Sequence, residues 1–174
     1  YMRNAIRTVP DWPQKGVMFR DITTIFQDAK ALRGFLDALI QRYMGRDLKF
    51  VAGLDARGLL TGVTIAYGLN LPFVPIRKKG KLPYKTISRS YELEYGQETI
   101  EIHIDACKPG DRCIVVDDLI ATGGTMLAAC DLLKELQAEI VEVAAIVDLP
   151  DLGGSKKIRD KGYPVFAICE FEGE

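Results

Sequence analysis

Two adjacent carboxylates, Asp117 and Asp118, stand at the head of a short loop that runs through Thr122, Gly123, Gly124 and Thr125. Tandem carboxylates suit two tasks: holding the hydroxyls of a sugar, or gripping a hydrated Mg²⁺. Glycines let a backbone approach a ligand with its N–H groups bare, and threonine hydroxyls add donors. If a helix opens at that loop, its free N–H groups and its dipole favour an anion such as a phosphate. Acids would repel a bare phosphate, so the pair and the loop together suit a phosphorylated sugar. The plainer alternative is a β–α connection that uses Asp, Thr and Gly as turn formers.

The flanking residues supply the elements that would position this chemistry. Residues 113–116 are an apolar run of a buried strand, expected to stop at the acids. From Thr125 onward, Met126, Ala129, Cys130, Leu133 and Leu136 fall at helical spacing. Earlier, Asp28 is a good N-cap for a helix carrying Leu32, Phe35, Leu36, Leu39, Ile40 and Tyr43, with Gly45 to end it. Residues 50–54 read as a buried strand, 59–67 as a helix closed by Gly68, and 73–76 as the next strand. Strand, helix and strand with short joints form a right-handed parallel crossover. Residues 141–147 and 165–169 add two more apolar strands, joined by a polar stretch that ends at Gly162.

Polar clusters follow two further strands. Asp55, Ala56, Arg57 and Gly58 leave the first, and Arg77, Lys78, Lys79 and Lys81 leave the second. The carboxyl ends of parallel strands gather along one edge of an open α/β sheet, and ligands bind there. A solvated loop is the ordinary reading of such a lysine run, and a polyanion site the functional one. Residues 80–105 interrupt the parallel pattern with a polar, aromatic stretch and an alternating segment at 97–104, which suggests a hood or flap. Near the N-terminus, residues 7–13 are too proline-rich for a helix and read as an extended lead-in. Phe19 is either an ordinary core residue or a stacking face for a flat ligand.

Composition narrows the class. At 174 residues the chain has single-domain length, with 48% apolar and 27% charged residues. A net charge of −1 provides no global field for nucleic acid or an anionic membrane, so any anion site must be built locally. The four cysteines have no C-x-x-C spacing and read as reduced core residues of a cytoplasmic protein. The single histidine, His103, excludes a zinc site with several imidazoles and reads as a solvated strand residue.

Residues 115–125, Val-Val-Asp-Asp-Leu-Ile-Ala-Thr-Gly-Gly-Thr, resemble the phosphoribosyl-pyrophosphate (PRPP) motif of the type I phosphoribosyltransferases. Five other stretches narrow the resemblance: Arg-Thr-Val-Pro-Asp at 7–11, Met-Phe-Arg-Asp-Ile at 18–22, Gly-Leu-Asp-Ala-Arg-Gly at 53–58, Arg-Lys-Lys-Gly-Lys-Leu-Pro-Tyr at 77–84 and Ser-Tyr-Glu-Leu-Glu-Tyr-Gly at 90–96. Together they resemble the adenine phosphoribosyltransferase family over nearly the whole chain. Ala56 stands where that family often has Ser, and Trp12 where Phe is common.

The resemblance implies one α/β domain over residues 1–174 with the type I phosphoribosyltransferase fold, a central parallel sheet flanked by helices with a small hood at about 80–105. It implies transfer of a 5-phosphoribosyl group from PRPP to adenine, giving AMP and pyrophosphate, in purine salvage. Ala121, Thr122, Gly123, Gly124 and Thr125 would cradle the 5-phosphate, and Asp117 and Asp118 the ribose. Arg57, Arg77, Lys78, Lys81 and Tyr95 would take the pyrophosphate. Met18, Phe19, Arg20 and Leu149 would hold adenine, with Glu94 managing a purine proton. Arg57, Glu94, Asp117 and Asp118 make up the implied catalytic set. Mg²⁺ would be bound mainly through PRPP and water, beside Asp117 and Asp118. A homodimer with neither nucleic-acid nor membrane partners completes the expectation. Two rivals remain open: the same fold acting on a 6-oxopurine, on xanthine or on orotate, and a regulator that senses PRPP without catalysis.

Overall fold

A computed structural model describes residues 2–93 and 95–173. In chain order the elements are β1 (Arg7–Pro10), β2 (Met18–Asp21), α1 (Thr23–Phe26), α2 (Ala29–Tyr43), β3 (Phe50–Leu54), α3 (Arg57–Leu69), β4 (Phe73–Lys78), β5 (Thr86–Glu92), β6 (Gln97–His103), β7 (Arg112–Ile120), α4 (Gly124–Glu135), β8 (Glu139–Asp148), α5 (Gly154–Asp160) and β9 (Val165–Glu170). Seven strands form one sheet in the order β5-β6-β4-β3-β7-β8-β9, and β1 pairs with β2 in a separate antiparallel ribbon.

Strands β4, β3, β7, β8 and β9 run parallel. Helices α3, α4 and α5 carry the chain across a face of the sheet from β3 to β4, β7 to β8 and β8 to β9, and the β5–β6 hairpin lies between β4 and β7 in the chain. All five residues of β3 are buried, as the central strand of a sheet covered on both faces requires. Alternate residues feed opposite cores. Val51, Ile114, Val116, Ala144 and Ile146 pack with Phe35, Leu39 and Ile65 of α2 and α3. Phe50, Ala52, Leu54, Val115, Val143 and Ala145 pack with Met126, Ala129, Leu132 and Leu133 of α4. After β3 the chain adds β4 on one side, and later adds β7 on the other. The order of strands therefore reverses between β3 and β7, and a crevice opens at their carboxyl ends.

Several boundaries differ from the spacing-based expectation. Helix α3 begins at Arg57, not Leu59, and runs past Gly68 to Leu69, closing on Asn70 at φ 56°. Asn tolerates this left-handed turn, so a glycine is not needed there. Gly68 serves packing instead: a Cβ at that position would strike the Ile40 side chain of α2. The polar stretch before Gly162 contains α5, whose single buried apolar residue, Ile158, is too little to show a helical period. Residues 86–103 form a β5–β6 hairpin that continues the main sheet antiparallel to β4. Asp28 caps α2 by accepting from the Lys30 and Ala31 N–H groups, as its position suggests.

The N-terminal ribbon is tied across its two strands. Arg7 donates to Asp21 at 2.6 and 3.0 Å, and Thr23 donates to the same carboxylate at 2.6 and 2.9 Å. These bonds, first from Thr23 and then from Arg7, hold the Asp21 carboxyl down at about 2.

Candidate active site

Strand β7 does not stop at the acids. It pairs with β8 in register through Asp117↔Ala145, Leu119↔Val147 and Ile120↔Asp148, so the ladder carries the carboxylates into the crevice. The start of α3 receives both of them. The Arg57 Nε donates to Asp118 Oδ2 at 2.5 Å, with Asp118 only 6% exposed. Asp117 rests against Gly58, where an added Cβ would lie 3.0 Å from Asp117 Oδ1 and 2.9 Å from the Val116 carbonyl oxygen. Arg57 and Gly58 are consecutive, so one helix start serves two consecutive acids. Burial, and then the Asp118 charge beside it, push the Asp117 carboxyl well above the usual carboxylate range. A cationic centre arriving here would favour both acids in their ionised forms.

These groups line a cavity of about 360 Å³ together with Asp55, Lys78, Tyr91, Glu98 and Thr125. A smaller cavity of about 110 Å³ adjoins it, lined by Asp117 and residues 119–126. The smaller one is the loop foreseen from the glycines. Gly123 takes φ 86° at the N-cap of α4, and no described side chain caps that helix end. The free N–H groups and the helix dipole face an opening that suits a small anion.

Three of the expected cations are each held by an acid. Arg77 donates to Asp55 at 3.2 Å, Lys78 approaches Glu98 at 3.8 Å, and Arg57 pairs with Asp118. Lys78 and Arg57 line the larger cavity, and Arg77 reaches it only through Asp55. Lys81 and Tyr95 are exposed and line neither cavity, Tyr95 being 87% accessible. Glu94 lies outside the described residues.

The residues expected to hold a base lie on the β1–β2 ribbon and at the exit of β8. Phe19 meets Trp12 edge to face at 4.5 Å, and Met18 is exposed. The Arg20 guanidinium stacks 4.5 Å from the centre of the Phe171 ring and donates to Thr8 at 2.6 Å. Leu149 is buried at 6% exposure and packs in the core that includes Ile22 and Ile25. None of these residues lines the two cavities described above.

Reading the residues in isolation missed several groups. Asp55 was placed in a polar cluster without a role and Glu98 was unremarked, and both turn out to partner the expected cations. The Tyr91 ring leans over the glycine loop before α4, so that a Cβ on Gly124 would stand 3.3 Å from it. Asp148 is 1% exposed, and its Oδ1 has no hydrogen-bond partner among the described residues; the same holds for Arg20 Nε. Phe171 touches both residues: its N–H donates to the Asp148 backbone carbonyl at 3.1 Å, and its ring carries the Arg20 guanidinium. An acid directly after Val147 and before Leu149 was the available signal.

Residues 21–170 match the family model of the phosphoribosyl transferase domain. The adenine phosphoribosyltransferase of Ralstonia nicotianae is 62% identical over 173 residues, spanning 99% of this chain and 88% of that protein. Among solved structures, the adenine phosphoribosyltransferase of Thermoanaerobacter pseudethanolicus superposes with a TM-score of 0.92 at 42% identity, covering 98% of each chain. That of Saccharomyces cerevisiae, complexed with an imino-altritol bisphosphate and adenine, gives 0.91 at 34% identity, covering 96% of each chain. The sheet order, the acid pair at the β3–β7 crevice and these likenesses agree: the chain has the type I phosphoribosyltransferase fold and belongs to the adenine phosphoribosyltransferase family.

Proposed function

We propose that this protein transfers the 5-phosphoribosyl group of PRPP to N9 of adenine, releasing AMP and pyrophosphate, as a purine-salvage enzyme. The observation that carries the reading is the placement of Asp117 and Asp118 between an uncapped helix N-terminus on one side and Arg57 and Lys78 on the other. A sugar with a phosphate at one end and a diphosphate at the other fits that sequence of charges. In the reaction the bond from C1 of the ribose to the diphosphate oxygen breaks, the electron pair leaving with pyrophosphate. The bond from C1 to N9 forms, and the N9 proton is lost. The ribose carbon passes through an oxocarbenium-like centre, which two adjacent carboxylates stabilise more strongly than they do the neutral ground state.

The cation–acid pairs support a ready diphosphate site. Arg57, Arg77 and Lys78 can exchange carboxylate partners for diphosphate oxygens without moving into new surroundings. Lys81 and Tyr95 belong to the same reading as groups that come in when substrate binds. Among the described residues no group of three or more metal-ligating side chains gathers, and the acids at the crevice, Asp55, Asp117 and Asp118, offer oxygen alone. That donor set fits Mg²⁺ borne chiefly by diphosphate and water, with Asp117 and Asp118 nearby. When bound, the ion would neutralise charge on the leaving group.

Adenine is assigned to Met18, Phe19, Arg20 and Leu149. The unpaired acceptor on Asp148, the residue before Leu149, supports a base with an amino group over one with a 6-oxo group, and the β8 exit carries no lysine. Glu94 is assigned the purine proton, with the β5–β6 hairpin closing over the centre. The four cysteines are free. Burial pushes the Cys130 thiol up to about 12, and raises Cys113 as well. Such inert thiols support a reducing, cytoplasmic setting. The exposed row Leu60, Val63 and Tyr67 on α3 supports a homodimer.

Turnover of adenine, hypoxanthine, guanine and orotate with PRPP, with and without Mg²⁺, tests the reading. AMP formation from adenine should exceed turnover of any 6-oxopurine by at least about 100-fold, since an unpaired buried polar group penalises the wrong base. Faster reaction with hypoxanthine, or PRPP binding with no pyrophosphate released, would overturn it.

A further inference from the structure

The connection from β8 to α5 is fastened at both ends to the phosphate strand. The Leu149 N–H donates to the Ile120 carbonyl at 3.0 Å, and the Gly154 N–H donates to the Ala121 carbonyl at 3.0 Å. Ile120 and Ala121 are consecutive and lead directly into the phosphate loop. Between the two fastenings, Leu152 and Gly153 donate back to Leu149 and Pro150, each at 3.0 Å, closing a 3₁₀ turn that stiffens the span. Leu149, assigned above to adenine, therefore sits at one end of a short rigid strap. Gly154 sits at the other.

Gly154 has no room for a side chain. A Cβ there would run into the Ala121 carbonyl oxygen, and would stand 2.7 Å from the Gly123 nitrogen and 2.8 Å from the Thr122 carbonyl carbon. In the other direction, a Cβ on Gly123 would lie 2.9 Å from the Gly154 Cα. The phosphate loop thus lies directly on the backbone of Gly154. Backbone against backbone cannot relax by a rotamer change, so a shift of either segment must be shared by the other.

We propose that Gly154 is a positioning residue that sets the phosphate loop and couples its occupancy to the placement of Leu149 in the base subsite. The inference rests on the assignment of that loop to the 5-phosphate and of Leu149 to adenine. Filling the loop should steady the strap and strengthen adenine binding, and by linkage adenine should strengthen phosphate binding equally. Ribose 5-phosphate occupies the loop without a diphosphate and is the probe of choice.

Gly153 provides the internal control. It adopts φ 82°, yet an added Cβ would meet nothing within 4 Å. Gly153→Ala strains the strap without touching the loop, whereas Gly154→Ala strikes the loop. Steady-state kinetics should show KM for PRPP raised roughly tenfold in Gly154→Ala with a smaller change in kcat, because misplacing a binding loop weakens ground-state contacts first. Gly153→Ala should lower Tm and leave that KM close to the wild-type value. In the wild type, ribose 5-phosphate should tighten adenine binding by roughly fivefold, and Gly154→Ala should abolish the gain. Equal KM changes in the two variants, or full coupling retained in Gly154→Ala, would overturn the proposal. If Gly154→Ala does not fold, amide exchange in the wild type decides. Slowing at both Leu149 and Gly154 on saturation with ribose 5-phosphate supports the strap, and no change at either refutes it. A wild type that forms AMP but shows no coupling sinks this inference alone; one that forms no AMP sinks the functional reading as well.

Discussion

Asp118→Asn is expected to lower kcat/KM for PRPP by about 100-fold or more, the range found when one preorganised group that meets developing charge is removed. At that size the loss corresponds to about 2.7 kcal/mol of transition-state stabilisation. Two effects act together. The amide keeps the shape of the carboxylate but loses the negative charge that would face an oxocarbenium-like centre. Arg57, bound to Asp118 through a 2.5 Å contact, also loses its counter-charge in a partly enclosed crevice. Asp117 alone offsets only part of the deficit: the substitution removes the neighbouring charge that raises its carboxyl, but burial, the larger cause, remains. Initial rates of AMP formation over a PRPP series check this, with a Tm within a few degrees of wild type showing that the fold survives. A fall of less than about threefold would remove Asp118 from the reaction.

Glu142→Gln is expected to cost about 3 kcal/mol of stability with little effect on the kcat of the folded enzyme. Glu142 is 5% exposed on β8, well before the strand's carboxyl end. It accepts from Arg42 at 2.7 and 3.0 Å and from the buried Tyr43 hydroxyl at 2.7 Å, with Arg46 at 3.8 Å. Removing one charge from a buried, bonded cluster leaves the others uncompensated, which costs about 3–5 kcal/mol. The arginines are each about one third exposed, at 34% and 36%, so water recovers part of the loss and the low end applies.

The pH dependence has a definite sign. Burial alone would raise the Glu142 carboxyl, but the bonds from Arg42 and Tyr43 outweigh it and leave the group below its ordinary value. A depressed carboxylate contributes stability above the unfolded-state pKa and loses it as pH falls through the folded value. Urea unfolding at pH 7 and in the acid range checks both points. The variant should be less stable at pH 7, and the gap should narrow as the wild type is acidified. A gap that widened in acid would contradict the account.

How legible each part was depended on the reach of the contacts that decide it. The glycine loop before α4 was legible because its geometry is local: bare N–H groups, a positive φ at Gly123 and a helix start all fall within a few residues. The burial of β3, the cap at Asp28 and the core face of α4 were legible for the same reason. The start of α3 was misplaced by two residues because Arg57 and Gly58 look like a turn in isolation. The helix begins there because β7 lies beside β3 and presents two acids to it. Strand β7 was ended too early, since carboxylates seldom occupy a central strand, and pairing with β8 carries them through. Helix α5 has one apolar anchor and no detectable period.

By itself the sequence determined which groups could hold a phosphorylated sugar, and the alternation of strands and helices that would line them up. Spacing along the chain carries that information, because helices and strands repeat over a few residues. The tertiary structure decided which acid meets which cation. Arg57 and Asp118 are 61 residues apart, Arg77 and Asp55 are 22 apart, and Arg42 and Glu142 are 100 apart. Those pairings follow from the reversal of strand order between β3 and β7 and from the helices that cover each face. The same holds for the seat of Gly123 on Gly154, which needs two loops to meet at one edge of the sheet. Local pattern sets what a segment can do, and the order of strands in the sheet sets what it does it to.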